Sequence, residues 1–128
     1  MTDATLVRLV REHFEGLFPK VCPRCRRRYE TLRDYILETE QIGPPLSYDV
    51  EMGDWAPTAP LGSLVVANCP CGTTLALSTH GMPLPKLHAG LHWLKVESRL
   101  RRQTPEQLLA WLRAEVRRQV LADGPTSD

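Results

Sequence analysis

No stretch of this chain approaches the roughly 18 consecutive apolar residues that a membrane-spanning helix requires. Asp3, Arg8, Arg11, Glu12 and Glu15 interrupt the first twenty residues, so no secretory apolar segment is legible there. These absences lead us to expect a soluble, cytoplasmic protein with no membrane contact. Enzyme signatures are missing as well. There is no G-x-S-x-G nucleophile elbow and no phosphate-cradling glycine loop. His88 and His92 have a metal-binding i, i+4 spacing, but Ala89 stands where a zinc protease carries glutamate. The chain also lacks one-signed charge: it carries 16 Lys/Arg against 15 Asp/Glu, which is not the basic composition of a typical nucleic-acid binder. The charge is unevenly placed, with an acidic stretch over 30–54 between basic flanks.

Cysteine is scarce, and its placement is the strongest signal in the sequence. The four residues form two tight pairs, Cys22-Pro-Arg-Cys25 and Cys69-Pro-Cys71-Gly72, with 43 residues between them. Thiolates one or two residues apart can point into one small volume, and two such pairs complete a tetrahedral site suited to Zn2+. In a reducing compartment, paired cysteines are metal ligands rather than disulfides. We therefore expect one structural Zn2+ held by Cys22, Cys25, Cys69 and Cys71. Pro23 favours a tight turn that leaves backbone N–H groups free to donate to the sulfurs. His80 is an alternative ligand by its nearness to the second pair. Redox-active thiols and an iron–sulfur cluster are the other uses that four cysteines allow. A zinc deaminase pattern is half present in His13-Phe14-Glu15 followed by Cys22-x-x-Cys25. Val21 replaces its proline, however, and Cys69 and Cys71 would have no role.

The pattern predicts an α+β fold within one domain over residues 1–122, with a flexible tail at 123–128. In the N-terminal segment 1–18, Leu6, Leu9, Val10, His13 and Leu17 predict the buried face of a helix, widened by Phe14 and Phe18. Residues 19–79 form the cysteine region. A short helix is expected from Thr31 to about Glu40, with Leu32, Tyr35, Ile36 and Thr39 on its apolar side. Glu38 and Glu40 sit at its unfavourable C-terminal end, a mild sign of a partner or merely of fraying. Residues 41–62 are expected to be an irregular loop with Tyr48 and Trp55 among acids; Trp55 either covers the core or anchors a partner. Strands 64–68 and 73–78 predict a hairpin with Cys69-Pro-Cys71-Gly72 as its turn, Gly72 supplying φ > 0. Residues 80–122 predict a helix pair. The first helix spans about 86–102 and buries Leu87, Leu91, Leu94 and Leu100. The second starts at the capping box Thr104-Pro-Glu-Gln107 and buries Leu108, Leu112, Val116 and Val120.

Cys22-Pro-Arg-Cys25 and Asn68-Cys69-Pro-Cys71-Gly72 resemble the knuckles of zinc-ribbon and treble-clef domains. The resemblance covers these nine residues and their flanks. It implies structural metal ligation at the four cysteines and nothing sharper about activity.

With no complete catalytic constellation, we expect a non-enzymatic regulatory or adaptor module that binds another protein. Homodimerisation through the C-terminal helices is a further expectation. The alternative is a nucleic-acid-binding protein. It would use Arg26, Arg27 and Arg28 beside the first knuckle, with Arg99, Arg101, Arg102, Arg113, Arg117 and Arg118 on the last two helices. A second alternative is a zinc–thiolate redox switch.

Overall fold

The computed structural model describes residues 1–41, 46–47, 63–78 and 81–123. Helix α1 spans Asp3–Glu15, and the Thr2 side chain caps it by accepting from the Thr5 N–H at 3.1 Å. Strands β1 (Lys20–Val21) and β2 (Arg28–Tyr29) form a small antiparallel hairpin. Helix α2 runs Leu32–Glu38 behind the N-cap Thr31. Strands β3 (Glu40–Gln41), β4 (Leu46–Ser47), β5 (Ser63–Asn68) and β6 (Thr74–Ser78) form an antiparallel sheet. Helices α3 (Leu84–Arg101) and α4 (Pro105–Asp123) complete the described chain. The fold is α+β.

β5 is the central strand. It pairs along its length with β6, from Leu64↔Ser78 to Asn68↔Thr74. Its other edge takes β3 through Glu40↔Asn68 and Gln41↔Ala67, and β4 through Leu46↔Leu64 and Ser47↔Ser63. The stretch expected to be irregular from residue 41 therefore begins as sheet edge. Tyr48 and Trp55 lie outside the described residues.

α4 is the element on which the helices gather: α1, α2 and α3 all pack against it. Its stripe Leu108, Leu112, Val116 and Val120 is buried throughout, as the four-residue spacing predicts. The capping box forms as well: the Gln107 N–H donates to Thr104 Oγ1 at 3.2 Å, and the Thr104 N–H donates to Gln107 Oε1 at 2.9 Å. Two other faces differ from expectation. α1 buries Leu6, Val7, Val10 and Phe14, while Leu9 and His13 are half-buried and Leu17 is exposed. The helix is rotated towards Val7 and Phe14, which bring more apolar area to the α4 contact than a stripe ending in His13 and Leu17 would. In α3, Trp93 and Leu94 are buried and Leu100 is 72% exposed. Leu100 lies two turns beyond Trp93 on nearly the same side, but it stands in the last turn of α3, where it is left outside the core.

The start of α1 is fastened to α3. Asp3 accepts from the Trp93 indole N–H at 3.0 Å and from the Arg101 guanidinium at 2.6 Å. Arg101 also pairs with Glu97 at 2.8 Å and lies over the stacked rings of Trp93 and Trp111.

Candidate metal centre

Both cysteine pairs sit at hairpin tips, one between β1 and β2 and one between β5 and β6. The two turns close in the same way. In the first, the Arg26 N–H donates to the Cys22 carbonyl at 3.0 Å, and the Cys22 N–H donates to the Arg27 carbonyl at 2.9 Å. In the second, the Gly72 N–H donates to the Cys69 carbonyl at 2.8 Å, and the Cys69 N–H donates to the Thr73 carbonyl at 2.8 Å. The residue after each second cysteine takes a left-handed backbone, φ 66° at Arg26 and 94° at Gly72. The second turn does with one residue fewer what the first does. The C-x-C spacing thus fits the same knuckle as C-x-x-C.

The turns bring all four sulfurs within 4.8 Å of one another. Cys22 Sγ lies 3.7 Å from Cys71 Sγ, and Cys25 Sγ lies 3.6 Å from Cys69 Sγ. Tetrahedral coordination at a metal–sulfur distance near 2.3 Å places sulfurs about 3.8 Å apart. The donor set and its spacing therefore fit one tetrahedral metal ion. Cys22 is 0% exposed and Cys69 2% exposed, Cys71 is half-buried and Cys25 is exposed, so the cluster lies at the core edge with one flank towards solvent.

The surroundings stabilise thiolate. The Cys22 thiol is lowered to about 6, chiefly by the backbone N–H of Cys25, against the opposing effect of burial. Thr73 draws Cys71 down through its hydroxyl, 3.2 Å away, and through its backbone N–H. Cys25 moves the other way, to about 11: the Arg27 N–H favours its thiolate, but loss of water around the sulfur and the thiols of Cys69, Cys22 and Cys71 outweigh it. Cys22 and Cys71 are thus held more acidic than a free thiol and Cys25 less, and a divalent cation among the sulfurs would favour the anionic form of all four together. Tyr29, buried at the end of β2, donates its hydroxyl to Cys69 Sγ at 3.0 Å. Its own proton is held well above the usual phenol range, by burial first and then by that sulfur. The sequence reading missed Tyr29; its place seven residues after Cys22, where the first hairpin ends, was the available signal.

The arginines divide. Arg27 pairs with Glu38 at 2.8 Å and lies over the Tyr29 ring, and Arg28 pairs with Glu30. The acid at the C-terminal end of α2 is thus answered within the chain. Arg118 is bound to Glu115 at 3.1 Å on its own helix. Arg113 and Arg117 line an apolar groove of about 70 Å³ with Phe14, Tyr35, Ile36 and Leu112. Burial lowers the Arg113 pKa. Arg26 is exposed on the first knuckle, Arg101 is turned onto Asp3, and Arg99 and Arg102 face solvent. Trp55 and His80 lie outside the described residues. Among the described residues, the one group of His, Cys, Asp or Glu that can hold a metal is the four cysteines.

No helix among the described residues is long and apolar enough to cross a membrane. Comparison with protein-family models, curated proteins and solved structures finds no match to this chain. The class defined by fold and site is therefore an α+β protein with a four-cysteine centre compatible with a metal ion.

Proposed function

We propose that the four cysteines hold one structural zinc ion, and that the protein works without catalysis as a module that binds another protein. The observation that carries the metal reading is that all four sulfurs lie within 4.8 Å of one another, with inter-knuckle distances of 3.6 and 3.7 Å. They suit a single tetrahedral ion, whereas a polynuclear iron–sulfur cluster interposes its own atoms and holds its thiolates farther apart. Four protein sulfurs complete the coordination and leave no open position for a substrate, the mark of a structural site. Bound there, zinc supplies a clasp between the β1–β2 and β5–β6 turns.

The binding role is supported by aliphatic side chains that the fold leaves outside. Leu84 and Leu100 on α3 are 62% and 72% exposed. The nucleic-acid alternative keeps Arg26, Arg99 and Arg102, which face solvent, but Arg27, Arg28, Arg101 and Arg118 are already paired with carboxylates. Elemental mass spectrometry of the purified chain tests the metal reading, and one zinc per chain is expected. After chelation the melting transition is expected to fall or disappear, since metal binding at such sites contributes on the order of 10 kcal/mol in zinc-finger peptides. A chain without zinc, or an unchanged melt after verified zinc removal, sinks the proposal.

A further inference from the structure

α3 turns one face to solvent, and every ionic charge on that face is positive. Lys95, Arg99 and Arg102 carry that charge, and His88 and His92, exposed as well, extend the same side of the helix. Spacings of four, three and four residues set His88, His92, Lys95 and Arg99 in one row along the helix, about 17 Å long at 1.5 Å per residue, and Arg102 follows at the left-handed C-cap, φ 51°. The one acid of α3, Glu97, lies on the opposite side, held by Arg101 at 2.8 Å. No ion pair to any residue of the row occurs among the described residues. Beside the row, on the same exposed arc, stand Val96 and Leu100, 38% and 72% exposed.

We infer that this face docks an acidic amphipathic α-helix of a partner protein. The inference rests on the reading of the protein as a binding module and names the chemistry of its partner. Residues three and four apart share one side of a helix, and a second helix packed alongside can answer such a charged row while covering the apolar residues beside it. Glutamates on the partner would answer Lys95, Arg99 and Arg102, and its leucines would cover Val96 and Leu100. A bilayer fits less well, because it takes the apolar residues deepest with cations around them. Here the cations occupy the middle of the exposed arc and the aliphatics its edge. A phosphate backbone would use the cations and leave Val96 and Leu100 in water. A second copy of the chain cannot dock two-fold on this face, since row would meet row with like charge.

The test is fluorescence anisotropy on the full, metal-loaded chain. The probe is a synthetic 21-residue helix with glutamates on one row and leucines on the next. Saturable binding is expected, weakened about tenfold or more by the double substitution Lys95→Glu/Arg99→Glu. Leu100→Ser is expected to weaken it as well. Circular dichroism on each variant separates loss of fold from loss of docking. The inference is overturned if the wild-type chain does not bind, if the variants bind as well as wild type, or if a probe with serines for leucines binds equally. It is overturned too if a 20-base-pair DNA duplex or phosphatidylserine vesicles bind more tightly through the same residues. A chain that holds zinc but ignores the probe defeats only the docking inference. A folded chain that binds the probe without zinc defeats only the metal reading.

Discussion

Arg26 and Gly72 do the same work with different side chains. Each follows the second cysteine of its turn and takes a left-handed backbone, φ 66° and 94°. A side chain with a Cβ carries a cost of about 1 kcal/mol or more in that region, and glycine does not. Arg26→Gly is therefore expected to raise stability by about 0.5–1 kcal/mol, less whatever the more flexible unfolded chain takes back. Gly72→Ala should lower it by about 1–2 kcal/mol. An added Cβ at Gly72 meets nothing within 4 Å, so that cost is conformational rather than steric. Thermal melts of the two variants should move in opposite directions. Tyr29 acts on the sulfur itself. Tyr29→Phe keeps the ring among its neighbours and removes the O–H that donates to Cys69 Sγ. Competition with a chromogenic chelator should then show the metal held about ten- to a hundredfold more weakly. Unaltered competition would mean that the hydroxyl does not support the site.

Between elements, the contact most open to titration is the one that fastens α1 to α3. The Arg101 guanidinium, hydrogen-bonded to Asp3, holds that carboxyl below its usual range, and the Trp93 N–H adds to the effect against the cost of burial. A group whose pKa is lowered by folding contributes stability that is fully present above its unfolded value of about 3.9. That contribution is lost as pH falls through the lower, folded value. The wild-type chain should thus lose stability through Asp3 below about pH 4, and Asp3→Asn should flatten that part of the acid limb. The gain is modest, because the pair is partly exposed and screened by solvent. Tryptophan fluorescence during acid titration follows the step directly, since Trp93 donates to the same carboxylate. Equal acid limbs for the two proteins would remove Asp3 from the account. At α4, the capping box and the buried stripe were both legible in the sequence because each is written within one helix. α1 was not, since its sequence offers two adjacent apolar faces and α4 selects between them.

Across the whole molecule, the four-cysteine centre joins residues 22–25 to residues 69–71, while α1, α2 and α3 meet on α4 without it. Metal removal should therefore act unevenly. In hydrogen exchange after chelation, the amides of Cys22, Arg26, Cys69 and Gly72, which close the two turns, should exchange at least about tenfold faster. Amides in the Leu108–Val120 part of α4 should change less. Uniform acceleration throughout would show that the metal holds the entire fold rather than its two turns.

The chain by itself determined the sulfur set, the β5–β6 hairpin with its knuckle at the tip, the Thr104–Gln107 cap and the buried stripe of α4. These are short-range matters: a turn of four residues, a cap of four, a period repeated along one helix. Only the tertiary structure decided that Glu38 would meet Arg27, and that Tyr29 would reach Cys69. It alone sent Arg101 inward to Asp3 while Arg99 and Arg102 went to solvent. Each of those outcomes depends on which elements pack together, and a charge or hydroxyl finds its partner only once the surfaces that carry both have met.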